Sequence, residues 1–136
     1  MYVYAEHSEL GFVCESAAAT VLKNIILEDV YVTPSCAGDS SDDRAGGLLG
    51  CVKAAGTTID NCVVVGAVGV SPLGAFCEHF GGLIGGCDAA PDQVTNCLIV
   101  ARVTATQSFG IIVTPSKDKI SAEDKATIVT YDAANE

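Results

Sequence analysis

The chain has 136 residues, 49% of them hydrophobic and 18% charged. That size and composition suit one domain with its own core and speak against disorder. The net charge of −10, from 7 basic and 17 acidic side chains, would repel a phosphate backbone or an anionic lipid surface, which argues against nucleic-acid binding and membrane-surface attachment.

No stretch approaches the roughly 20 apolar residues of a spanning helix. The first ten residues, MYVYAEHSEL, lack the basic start and long apolar centre of a secretion signal. The chain therefore reads either as cytosolic or as a piece of a longer exported protein, and a start so close to a repeat favours the piece. Seven cysteines are an odd number, so at least one thiol has no partner within the chain.

In chain order, the first apolar unit is LGFVCESAAATVLKNIILEDVYV, Leu10–Val32. A polar loop, Cys36–Arg44, follows. The second unit, Ala45–Val70, reads AGGLLGCVKAAGTTIDNCVVVGAVGV; the third, Phe80–Ala105, reads FGGLIGGCDAAPDQVTNCLIVARVTA. The second and third align without a gap, and Asn61 and Asn96 each lie 14 positions after a glycine of the Gly-Gly pair. The first is a weaker copy, one residue shorter, with Asn24-Ile25 in place of Asn-Cys and Cys14 in place of the last glycine. SFGIIV, Ser108–Val113, resembles a fourth start, but no Asn follows at the expected distance. Ser121–Glu136 opens on a capping-box-like Ser-any-any-Asp yet contains Thr127, Ile128, Val129 and Thr130, so it predicts a short helix or a strand that caps the stack.

Each unit holds a short Gly-bounded apolar piece, a polar turn and a run of strand formers. A repeat of that length with Gly and Asn at the corners predicts an all-β fold. The expected architecture is a parallel β-helix (β-solenoid) of about three stacked units, 10–32, 45–70 and 80–105, with 106–136 a degenerate unit and cap, all within one domain of residues 1–136. Stacking buries an apolar face that one unit cannot bury alone. It would bring Asn24, Asn61 and Asn96 into a ladder whose amides bond along the stack and satisfy turn backbone. Ile25, Cys62 and Cys97 would form an inward row. The Cys14 and Ile25 changes would both keep the core apolar.

The GGLLG…IDNC and GGLIG…VTNC units resemble the GLUG motif: Gly-Gly-Leu-apolar-Gly, a spacer, apolar-any-Asn-Cys and a strand. The match is strong over 45–105 and partial over 10–32. That family's repeats occur in bacterial surface and secreted proteins, including adhesin-like proteins and accessory regions of IgA-specific metallopeptidases. The resemblance implies an extracellular or cell-surface location as a fragment of a longer exported protein. It also implies β-helix coils and no activity in particular.

Strand alternation with Arg102 outward places Cys97, Ile99, Ala101 and Val103 inside. Ile26, Val63, Val65, Leu98 and Val100 would then form an outer apolar patch, with Glu28 continuing the row. A loop or the C-terminal tail is the first candidate to cover it; a partner surface is the second.

Asp39, Asp42 and Asp43 offer oxygen ligands for Ca²⁺, without the EF-hand pattern, and a solvated acidic loop is the simpler reading. His7 and His79 lack a second ligand at zinc spacing. Cys62 and Cys97 in adjacent coils would have nearly parallel Cβ vectors and stay free thiols; Cys51 and Cys87 fall one residue out of register. No phosphate loop or nucleophile elbow is present. No cofactor is expected beyond that weak Ca²⁺ candidate.

The reading is a non-catalytic repeat domain acting in adhesion or ligand binding, or as a spacer. Its partners would be other domains of a longer chain and a host glycan or protein, with no nucleic acid and no membrane insertion. The alternative is an accessory or degenerate fragment of an extracellular hydrolase, which would need a carboxylate-lined cleft.

Overall fold

The structure, a computed structural model, describes residues 1–5, 9–34, 44–69, 79–89, 91–104, 108–110 and 129–131. Strand β1 (Tyr2–Ala5) comes first. The first unit contributes β2 (Glu9–Leu10), β3 (Val13–Ser16), β4 (Val21–Lys23) and β5 (Ile26–Pro34). The second contributes β6 (Arg44–Gly46), β7 (Leu49–Val52), β8 (Thr58–Asp60) and β9 (Val63–Gly69). The third contributes β10 (His79–Gly81), β11 (Ile84–Cys87), β12 (Gln93–Thr95) and β13 (Leu98–Thr104). Two further strands, β14 (Ser108–Gly110) and β15 (Val129–Tyr131), complete the set.

Successive strands visit four sheets in rotation. Sheet A runs β1-β5-β9-β13-β15, sheet B β14-β10-β6-β2, sheet C β11-β7-β3 and sheet D β12-β8-β4. Every pairing is parallel. The fold is thus all-β with stacked parallel sheets, and each 35–37-residue repeat makes one four-stranded round. Residues one repeat apart are direct neighbours: Ile26, Val63 and Leu98 align across sheet A, and Leu22, Ile59 and Val94 across sheet D.

The core lies between the sheets. Leu49, Ile59, Val64, Phe80, Ile84 and Ile99 are almost wholly excluded from water. Most of these strands are only two to four residues long, so burial on the inner face, rather than strand length, holds each one in place. The bends between sheets B and C explain the Gly pattern. A Cβ on Gly85 would stand 2.5 Å from the Gly50 carbonyl oxygen and 2.6 Å from the Ala45 amide nitrogen. Adjacent rounds approach backbone to backbone there, and only glycine fits.

The first unit departs from the others. Leu10 and Val13 stand opposite Ala45 and Leu49, so its B–C bend has one residue fewer. Cys14 does not keep the core apolar, as the repeat alignment suggested. It is exposed, because Val13 and Ser16 supply the buried side of β3. Ser16 and Thr57 are buried polar residues, and the Thr57 hydroxyl bonds Ser16 Oγ at 2.9 Å and the Ala54 carbonyl at 3.3 Å.

Beyond the third unit, Ser108-Phe109-Gly110 takes register with His79-Phe80-Gly81, and Val129–Tyr131 with Leu98–Val100. The stack continues past the point where the sequence pattern fades. The described part of the tail joins the edge of sheet A and does not lie across its outer face. The rest of the expected cap falls outside the described residues, as do Asp39, Asp42, Asp43, His7, Cys36 and Cys77.

Candidate ligand-binding face

Sheet A presents its outer face through alternate residues. Ile26 is 67% exposed and Leu98 39%; Val63 between them, and Val65 and Val100 beside them, are half-buried. The two registers Val63↔Leu98 and Val65↔Val100 place these side chains in adjacent rows. All five residues expected in the outer patch therefore share one face. Arg102 is exposed beyond them, and Ile99, Ala101 and Val103 are buried on the other side.

Glu28 does not extend the Val65 row. The register of β5 against β9 shifts between Leu27 and Val30, and Asp29 adopts a left-handed φ of 51°. This bulge pushes Val30 onto Gly66, where any Cβ would strike the Val30 backbone. A glycine inside the strand-forming run, Gly66, is the signal that could have located it. Past the bulge, Tyr31 stacks on Tyr2 with ring centroids 5.4 Å apart and planes within 10°. The amino terminus donates to the Asp29 carbonyl at 2.8 Å.

The Asn corner lies at the sheet D to sheet A turn. Asn24, Asn61 and Asn96 all have left-handed φ, 57°, 53° and 52°, which Asn tolerates better than most residues. Asn61 Nδ2 donates to Asn24 Oδ1 at 2.7 Å. The next rung differs: Asn96 Nδ2 donates to Asp60 Oδ1 at 2.9 Å, joined there by the Thr95 hydroxyl at 2.8 Å. Lys23 Nζ sits 3.2 Å from the other Asp60 oxygen. The side chains bond one another, while the turn amides find carbonyls one round away: Asn24 N to Asp60 O and Asn61 N to Thr95 O.

Cys62 and Cys97 are buried beside this corner as free thiols. The Cys97 thiol contacts the Thr95 carbonyl at 3.1 Å, and burial pushes its pKa up to about 11. Ile25, partly buried, packs against the same core. Such thiols are poor nucleophiles at neutral pH. Cys51 lies opposite Gly86, and Cys87 opposite Val52, so those two thiols are out of register.

A second polar site was not foreseen. Arg44 Nη1 donates to Asp88 Oδ1 at 2.7 Å and to Cys51 Sγ at 2.6 Å. Lys53 Nζ bridges Glu9 at 2.5 Å and Asp88 at 3.3 Å. Glu9, Arg44, Lys53 and Asp88 thus clamp three successive rounds at the outer B–C corner. The Lys53 hydrogen bond holds the Glu9 carboxyl below its ordinary pKa, and the Arg44 hydrogen bond does the same for Asp88. Burial pushes the Cys51 thiol up, against the opposing pull of Arg44. His79 lies next to Arg44 in register on sheet B.

Among the described residues no group of three or more His, Cys, Asp or Glu is placed to hold a metal, and no helix is long and apolar enough to cross a membrane. No family model, curated protein or solved structure matches the chain.

Proposed function

We propose that the four stacked sheets form a parallel β-helix, and that it serves as a non-catalytic binding or spacing module of an exported bacterial protein. The observation that carries the binding reading is the in-register apolar row Ile26, Val63 and Leu98 on the outer face of sheet A. Exposed apolar surface of this kind is costly to leave in water and often marks a contact site. The GLUG-like units at 45–70 and 80–105 are what point to a surface protein, and the acidic charge of −10 suits a module that stays soluble.

A hydrolase would need free carboxylates converging on a cleft. Glu9, Asp60 and Asp88 are each tied to a cation or an amide, which favours the binding reading.

The test is binding to immobilised glycans, mucin and matrix proteins, with and without Ca²⁺. Saturable binding that Ile26→Asp and Leu98→Asp abolish, with unfolding curves intact, is the expected result. Binding that survives both substitutions moves the contact off sheet A. Its absence across the panel leaves the spacer role.

A further inference from the structure

The bend between sheets B and C makes the same contact at both junctions of the stack. Gly50 lies opposite Gly85, between the pairs Leu49↔Ile84 and Cys51↔Gly86. The Cβ that Gly85 lacks would stand 2.5 Å from the Gly50 carbonyl oxygen and 2.6 Å from the Ala45 amide nitrogen. One round earlier, a Cβ on Gly50 would stand 2.5 Å from the Cys14 carbonyl oxygen and 2.7 Å from the Leu10 amide nitrogen. The Cβ direction at this position therefore runs back along the stack, into the backbone of the preceding round. A round can sit behind it only if the residue is glycine.

The first unit breaks that condition. Val13 and Glu15 lie opposite Leu49 and Cys51, so Cys14 holds the position of Gly50 and Gly85. Its side chain is exposed, off the end of the stack where β2 and β3 are the outermost strands of sheets B and C. The bend before it is one residue shorter than the others, but this does not exclude a neighbour. The longer second bend packs against it, with Val13 N bonded to the Leu48 carbonyl at 2.8 Å. The exclusion lies in Cys14.

We propose that Cys14 is an end-stop, which closes the B–C side of the stack to any further round of this repeat behind the first unit. A preceding round in the same geometry would set its carbonyl oxygen against the Cys14 Cβ, as the Gly50 and Gly85 junctions do, at a distance that real Cβ atoms do not show. The stop follows from Cys14 and is indifferent to what chain precedes Met1. Arrays of repeats need an end that refuses another repeat, and here one Cβ supplies it. The stack consequently has a polarity. Its repeats extend past the third unit, where Ser108-Phe109-Gly110 already stands in register with His79-Phe80-Gly81, and not behind the first. None of this depends on the outer face of sheet A binding anything.

The test joins a copy of residues 79–100 directly to Met1. Tyr2 is opposite Tyr31, Ala67 and Arg102 through successive pairs, so Met1 follows residue 100 in register. The added segment then supplies the missing part of one complete preceding round. Hydrogen exchange followed by mass spectrometry reads whether it packs. With Cys14 in place, the added amides should exchange like those of an unfolded peptide. With Cys14→Gly they should be protected, and the urea slope should rise with the extra buried surface. Protection of the added segment beside Cys14 overturns the proposal. So does protection in neither chain, because the stop then does not lie in Cys14. In the 136-residue chain itself, Cys14→Leu should move the urea midpoint by no more than about 0.25 M, since its side chain leaves the stack. Gly50→Ala should lower it by about 1 M or more. A Cys14→Leu chain as damaged as Gly50→Ala would show that the side chain points into the stack, and would also overturn the proposal.

Discussion

Asn61 joins two effects that can be separated by substitution. Its φ is 53°, and its amide bonds Asn24 Oδ1 at 2.7 Å. Replacement by Ala removes the hydrogen bond and places a Cβ in the left-handed region. The bond lies at an exposed site and contributes about 0.5–1 kcal/mol. The left-handed conformation costs a residue such as Ala about 1 kcal/mol. Asn61→Ala should therefore destabilise by about 1.5–2 kcal/mol. Asn61→Gly loses the same bond but carries no Cβ penalty; its freer unfolded chain returns about half of that gain, leaving a cost of about 1–1.5 kcal/mol.

Urea unfolding followed by circular dichroism reads both numbers. With a slope of about 2 kcal/mol/M, Ala should lower the midpoint by about 0.8–1 M and Gly by about 0.5–0.7 M, at unchanged slope. The Asn61 N to Thr95 O bond at 3.1 Å is made by backbone and survives in both. If Gly proves as costly as Ala, the side-chain bond sets the stability of this corner and the φ argument is wrong.

Acid should weaken the fold through its paired carboxylates. Glu9, Asp60 and Asp88 have lowered folded pKa values, so their contribution is present above the unfolded pKa and is lost as pH falls through the folded values. The thermal midpoint should drop from about pH 5 downward, and the gap between wild type and Lys53→Met should shrink over the same range. Gly85→Ala should destabilise by about 3 kcal/mol or more, since its Cβ would meet backbone on two sides; a loss under about 1 kcal/mol, read from urea midpoints, would show that the bend can open. Thiol labelling mapped by mass spectrometry should modify exposed Cys14 quickly, and buried Cys51, Cys62 and Cys97 only on unfolding. Fast labelling of Cys97 would contradict its burial.

Periodicity carried most of the fold. Strand alternation over Cys97–Val103 separated buried from exposed residues because the side-chain period of two leaves no other choice once Arg102 faces out. The 35-residue interval placed Val63 beside Leu98 for the same reason. The bulge at Glu28–Asp29 escaped, since alternation assumes an unbroken ladder, although Gly66 was a hint. Cys14 was misjudged because alignment to Gly50 says nothing about which side of β3 a new side chain takes.

The ionic clamp was legible in a way that single residues hide. Glu9 and Arg44 are 35 positions apart, Lys53 and Asp88 are 35 apart, and Lys23 and Asp60 are 37 apart. Each pair places opposite charges at one repeat interval. In a stack where neighbours stand ~4.8 Å apart, like charges at that interval would repel along the whole column, and opposite charges bind round to round. Glu9 and Arg44 then exchange partners diagonally, Glu9 taking Lys53 and Arg44 taking Asp88. Both cations belong to the second unit and both anions to its neighbours, so the register is fixed from either side. A one-round slip would set Glu9 against Asp88, which is the mispairing such a charge pattern resists. The apolar rows of sheet A carry no such discrimination, because Ile26, Val63 and Leu98 are interchangeable in kind. Register in this chain therefore rests on its charged corners.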